Sequence, residues 1–210
     1  MSLDTLQQGN TQANQLYKVL SEYEKQEKKE KIEHLYYLIL KELGIDCDTD
    51  QHTKDTPKRL AKMYLDEVMS GRYTELPKIT TFDATHQELV VVKDIEVRSM
   101  CSHHFVPIIG KAHIGYIPDK KVVGLSKFAR IIEHFSRRPQ IQEELTNQIF
   151  TYLEELLEPL SLYLIIEAEH YCMIWRGVKN MDSETITSQC SKSIKQDVNL
   201  KNEYLRLMKG

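Results

Sequence analysis

Cys101, His104 and Cys172 are the residues of this 210-residue chain whose types and spacing best suit a metal ion. Cys101-Ser102-His103-His104 sets a soft thiolate and an imidazole three residues apart, donors that suit zinc. Cys-x-x-His alone is a weak signal. It gains weight from residues 162–175, which read as one strand with Leu164, Ile166, Ala168, His170 and Cys172 on a single face and Arg176 just beyond them. That face turns abruptly from apolar to His, Cys and Arg, as a strand does on leaving a core and entering a site. Three protein ligands and one open position mark a catalytic zinc, whose water ligand is acidified to near neutral pH; a structural zinc takes four ligands. His170 offers a fourth, so spacing leaves both open. Buried reduced cysteines and a satisfied core histidine are the plainer reading. Two strand ends rich in Cys and His outweigh it. Cys47 and Cys190 have no such company and read as plain thiols.

A second group is cationic. Ser126, Lys127 and Arg130 open a helix after Gly124, with Lys127 and Arg130 on a face away from the Phe128/Ile132 stripe. Helix N-terminal amides with two cations would make an anion pocket. An ordinary solvated helix face is the competing account.

Periodicity defines the elements that must hold these groups. Residues 1 to about 15 are polar and expected to be loose. Mixed charge from Ser21 to Glu33, with Glu24/Lys28 and Glu27/Lys31 pairs, reads as a solvated helix rather than a nucleic-acid arm. Ile32, Leu35, Tyr36, Ile39 and Leu43 continue it as an apolar stripe up to Gly44. Thr56 as N-cap and Pro57 start a second helix with Leu60, Ala61, Tyr64 and Val68 on its apolar face. After Pro77 the period becomes two: Leu89, Val91, Ile95 and Val97 mark one strand and residues 108–117 another. Helical spacing returns at Leu125, Phe128, Ala129, Ile132 and Phe135, then at Ile141, Leu145, Ile149, Leu153 and Leu156. The order implies an α+β chain with helices on one sheet face, divided into an N-terminal helical region (1–76) and a catalytic domain (77–210).

Apolar residues make up 41% of the chain, which excludes wholesale disorder, and a net charge of −3 gives no field for nucleic acid or an anionic membrane. Apolar runs are too short for a membrane span and no apolar signal core opens the chain. Four cysteines are too few for a disulfide scaffold, so a cytoplasmic protein with no membrane or nucleic-acid partner is expected.

Residues 101–107 (CSHHFVP), 110–118 (GKAHIGYIP), 124–130 (GLSKFAR), 138–143 (RPQIQE) and 169–173 (EHYCM) with Arg176-Gly177 together resemble GTP cyclohydrolase I. Asp55-Thr-Pro-Lys-Arg59 and residues 77–81 (PKITT) are similar to it too, and the match runs in order over about residues 32–190. The resemblance implies the tunnelling fold, an antiparallel sheet backed by two helices, assembled edge to edge into a homodecamer with active sites between subunits. It implies conversion of GTP to 7,8-dihydroneopterin triphosphate and formate. Cys101, His104 and Cys172 match the family's zinc ligands, although iron(II) would accept the same donors, and His103 and His170 match its catalytic histidines. Ser126 matches the serine of the later sugar rearrangement. Lys127, Arg130 and Arg176 match phosphate contacts, and Arg59 a residue supplied by a neighbouring subunit. Glu143 resembles the guanine reader, accepting from N1–H and the 2-amino group, with Gln142 assisting. Ser102 stands where the family has Glu, and residues 191–194 (SKSI) replace its glycines and aromatic. A purine- or pterin-binding relative without hydrolysis, or a structural-zinc assembly protein, are the rival readings.

Overall fold

The computed structural model describes residues 18–209, so the expectation of a loose segment over residues 1 to 15 falls outside the described residues. Ser21 starts helix α1 (Glu22–Glu42) through a capping box, its hydroxyl accepting from Glu24 N while the Glu24 carboxylate reaches back to Ser21 N. The expected stripe is there, but Leu35, Ile39 and Leu43 lie exposed and no residue of α1 is buried. Helix α2 (Thr56–Lys62) has Asp55, not Thr56, at its N-cap, and it continues through a π-helical turn (Met63–Val68) and a 3-10 turn (Ser70–Arg72). Leu65 and Gly71 are buried there. A Cβ on Gly71 would sit 2.1 Å from the His134 carbonyl oxygen, so only glycine allows this approach. Buried Arg138 secures the same junction, donating from Nε to Gly71 O (3.1 Å) and from Nη2 to His134 Nε2 (2.7 Å). Burial, and then the Arg138 charge, push the His134 imidazole down to about 3, so it stands neutral and able to accept.

Strands β2 (Val90–Cys101), β3 (Pro107–Ile117), β5 (Pro139–Gln140), β6 (Ser161–His170) and β7 (Thr185–Cys190) form one sheet in the order β5-β2-β3-β6-β7. Its long pairings are antiparallel, and β5 adds a short parallel pairing to Met100 and Cys101. β1 (Thr81–Asp83) and β4 (Lys121–Val123) make a separate small ribbon. Helices α3 (Ser126–Ser136) and α4 (Gln142–Leu157) close one sheet face, burying Phe128, Ile132, Leu145, Ile149 and Leu153 against Val97, Ile114 and Leu164. On the other face α6 (Lys192–Gln196) and α7 (Val198–Lys209) cover Tyr163 and Ile165 with Ile194, Tyr204 and Met208. Gly115 admits this cover, since a Cβ there would lie 2.6 Å from the Tyr204 ring. The α+β reading holds, but helices cover both sheet faces and not one, because the C-terminal helices α6 and α7 bury the second face. Among the described residues no helix is long and apolar enough to cross a membrane.

Three local expectations need correction. The alternation of β2 is broken by a bulge between Val92 and Ile95, where Asp94 takes φ 56. The bulge slips the pleat by one residue, so Val90 and Val92 join the helix-covered core while Leu89 and Val91 face the other cluster. Leu125 and Ala129 are exposed, and Ile131 takes a core place instead. Strand β6 stops at His170; residues 171–174 form a helical turn, α5 (Tyr171–Ile174), so Cys172 and Arg176 do not extend a strand face. Helix α7 carries its own signal in the four-residue spacing of Leu200, Tyr204 and Met208.

Candidate metal centre and substrate pocket

Strands β2 and β6 are separated by β3, so their ends stand two strand spacings apart, roughly 10 Å. Two departures from regular strand close that gap. After Cys101 the chain makes a tight turn, with Phe105 N donating to Cys101 O and Cys101 N to Val106 O (both 2.9 Å) and Phe105 at φ 54. After His170 the α5 turn swings Cys172 back over the sheet, and Cys101, Cys172, Ile108 and Ala168 pack into one cluster. Donor atoms of Cys101, His170 and Cys172 thereby lie within 4.8 Å of one another. The Cys172 thiol is pushed up, first by burial and then by Cys101 beside it, while Arg176 pulls the other way. A thiol that resists ionising, set beside a second thiol and an imidazole, belongs to a group whose ionised state a soft cation stabilises. Around one tetrahedral zinc such donors stand roughly 3.3–3.8 Å apart, within reach of small side-chain rotations. The residues fit a metal ion.

The structure gathers the two cysteines as expected, with His170 rather than His104 as the third donor. His104 lies on the exposed turn after Cys101 and its Nε2 faces Arg176 Nη1 at 3.1 Å. A guanidinium only donates, so this nitrogen carries a lone pair. His103 is exposed, its Nδ1 3.7 Å from Cys101 Sγ. Burial holds His170 below the usual imidazole range, partly offset by the Glu143 carboxylate nearby. Glu143 is exposed in the first turn of α4, near enough for its charge to act on His170. Gln142 is fully buried, its amide engaged with His170, Ile166, Thr185 and Thr187, and so is not open to a base as expected.

The cationic group lies elsewhere. Helix α3 runs along β2, and its last turn leads to Arg138, whose carbonyl faces Ser99 Oγ, and to β5 beside Cys101. Ser126 is at the far end, about 15 Å of helix away. Ser126 and Arg130 are exposed and Lys127 half-buried. The amides expected to serve an anion are partly taken, Lys127 N by Gly124 O (2.8 Å) and Phe128 N by Leu125 O (3.2 Å), which leaves the charge to the side chains. Arg59 is exposed on α2, near Asp55 and the His52 carbonyl, and is not joined to either group.

An α+β chain with a Cys/His/Cys centre at one end of its sheet has the makings of a metal-assisted enzyme. The family model for GTP cyclohydrolase I matches residues 32–209, and the chain belongs to that family. It is 46% identical to GTP cyclohydrolase 1 of Streptococcus thermophilus over 187 residues, which is 87% of this chain and 98% of that protein. GTP cyclohydrolase 1 of Carboxydothermus hydrogenoformans is 50% identical over 163 residues, 76% of this chain and 84% of that one. Among solved structures, an apo QueF-like archaeosine synthase aligns with 16% identity and a TM-score of 0.42, over 49% of this chain and 92% of its own.

Proposed function

We infer that this chain opens the guanine imidazole ring of GTP by hydrolysis, releases formate and rearranges the product to 7,8-dihydroneopterin triphosphate. The observation that carries this is the convergence of Cys101, His170 and Cys172 beside Glu143 in a chain of the GTP cyclohydrolase I family. A relative that binds purine or pterin without hydrolysis is not favoured, because the donors and the neighbouring imidazoles are all retained.

Cys101 and Cys172 would hold a zinc ion as thiolates, with His104 as third ligand; His104 Nε2 already has its lone pair free of a proton. When bound, the cation supplies the Lewis acidity that makes water a nucleophile near neutral pH. His103 and His170 then serve the proton transfers, including protonation of purine N7, which makes C8 electrophilic. Glu143 accepts from guanine N1–H and the 2-amino group; adenine lacks both donors and would leave a desolvated carboxylate unpaired. Lys127, Arg130 and Arg176 neutralise the triphosphate, with Arg59 reaching in from a neighbouring subunit, and Ser126 serves the sugar rearrangement.

The separation of Lys127 and Arg130 from the cysteines supports a site built from two subunits. Sheet edges support the tunnelling fold: β7 and most of β2 lack a partner on their outer sides among the described residues, and edge-to-edge joining into a decamer would pair both. In that assembly residues 1–76 form the appended helical region and 77–210 the catalytic unit, in the cytoplasm, where the four free cysteines stay reduced.

Subunit mixing tests the shared site. Chains carrying Cys172→Ala and chains carrying both Lys127→Ala and Arg130→Ala should each release almost no formate. Co-assembled in equal amounts, they should regain about a quarter of wild-type activity, the chance that two intact halves meet. Mixed oligomers as inactive as their parents would place both halves in one subunit.

A further inference from the structure

We propose that Thr187, on β7, is a positioning residue for His170, acting through a closed loop of hydrogen bonds with Gln142 and Thr146. The proposal rests on the reading that His170 takes part in the reaction.

Proton directions around the loop follow from chemistry alone. Thr146 Oγ1 lies 2.8 Å from the Gln142 main-chain carbonyl, which only accepts, so Thr146 donates there. Its hydroxyl proton is then spent, so at 2.6 Å it accepts from Thr187 Oγ1. Thr187, having donated, accepts from Gln142 Nε2 at 3.1 Å. The same nitrogen faces the carbonyls of Ile166 (3.0 Å) and Thr185 (2.9 Å), so its two protons are shared among three acceptors. A flipped amide would turn its oxygen onto two carbonyl oxygens and the loop would lose its donor. Gln142 Oε1 is thereby held towards His170 Nε2 at 2.7 Å, and since an amide oxygen only accepts, Nε2 bears the proton and Nδ1 the lone pair of the neutral ring. Gln142 is fully buried and Thr146 nearly so, while Thr187 is half-buried at the outer side of the loop, so its hydroxyl is the member that closes the loop against solvent. Neither threonine comes within hydrogen-bond reach of His170; both act through Gln142.

The two halves of threonine separate this role from packing. Thr187→Val keeps the shape and β-branching but deletes the hydroxyl; Thr187→Ser keeps the hydroxyl and loses the methyl. At saturating GTP, Thr187→Val should lower kcat about tenfold, the effect of one lost hydrogen bond, with KM within about twofold of wild type. Thr187→Ser should recover most of the rate although its thermal midpoint is the lower of the two. Thr146→Val should repeat the Thr187→Val effect, and all three variants should keep wild-type metal content per subunit. In a His170→Ala background, Thr187→Val should cost nothing more. Wild-type kcat in both valine variants, a serine variant as slow as valine, or loss of metal in the valine variants would overturn the assignment. Normal turnover by His170→Ala would instead sink the underlying reading of His170.

Discussion

Cys172→Ala is expected to leave a folded protein that holds almost no zinc and releases no measurable formate. Cys172 is one of two sulfur donors, and the imidazoles around Cys101 cannot replace a thiolate's charge. Loss of an outer partner alone costs a metal site roughly 10–100-fold in affinity, and loss of a direct thiolate ligand should exceed that. The fold should survive, because Cys172 belongs to a small satellite cluster at the end of the sheet and not to the core between helices and strands. Removing one sulfur atom there should cost about 1 kcal/mol. Elemental analysis beside circular dichroism separates the effects. Near-stoichiometric zinc in the variant would remove Cys172 from the site, and unfolding on metal loss would make the centre structural.

The two adjacent histidines should part company just as widely. His104→Ala deletes the proposed third ligand and should bind little zinc and release no formate. His103→Ala touches no proposed ligand, so zinc should stay near wild type while turnover falls by roughly 10²–10⁴-fold, the span of a lost general acid. His170 can cover part of that loss, which favours the lower end. Because His170, not His104, lies within 4.8 Å of both sulfurs, the same assay on His170→Ala is informative: it should keep its zinc and lose rate. Zinc lost from His170→Ala and kept by His104→Ala would exchange their roles.

What the sequence conveyed well was chemistry concentrated in short segments. Cys101, His103 and His104 fall within four positions, and the core stripes of α3 and α4 repeat at helical spacing, so both were legible without a partner. The errors lie where a long-range contact overrides a local period. The bulge at Asp94 leaves no mark in the run of three valines before it, yet it moves Val90 and Val92 to the opposite face from that expected. The α5 turn hides behind the apparent alternation of His170 and Cys172, although a continued strand would have carried Cys172 away from Cys101. Gln142 is expected to assist Glu143 at the base, but it is buried, and its partners Thr185 and Thr187 lie more than 40 positions away across the sheet. Most of the exposed stripe on α1 finds no cover within the described chain, which periodicity alone could not reveal.

The central claim is that this chain hydrolyses GTP at C8. The direct measurement is incubation of the zinc-loaded protein with GTP, following formate by enzymatic assay and the pterin by its ultraviolet absorbance and fluorescence. Equimolar formate and dihydropterin triphosphate, abolished in Cys172→Ala and absent with ATP, is the predicted result. GTP that binds but is recovered intact, with no formate from the fully metallated protein, would contradict it.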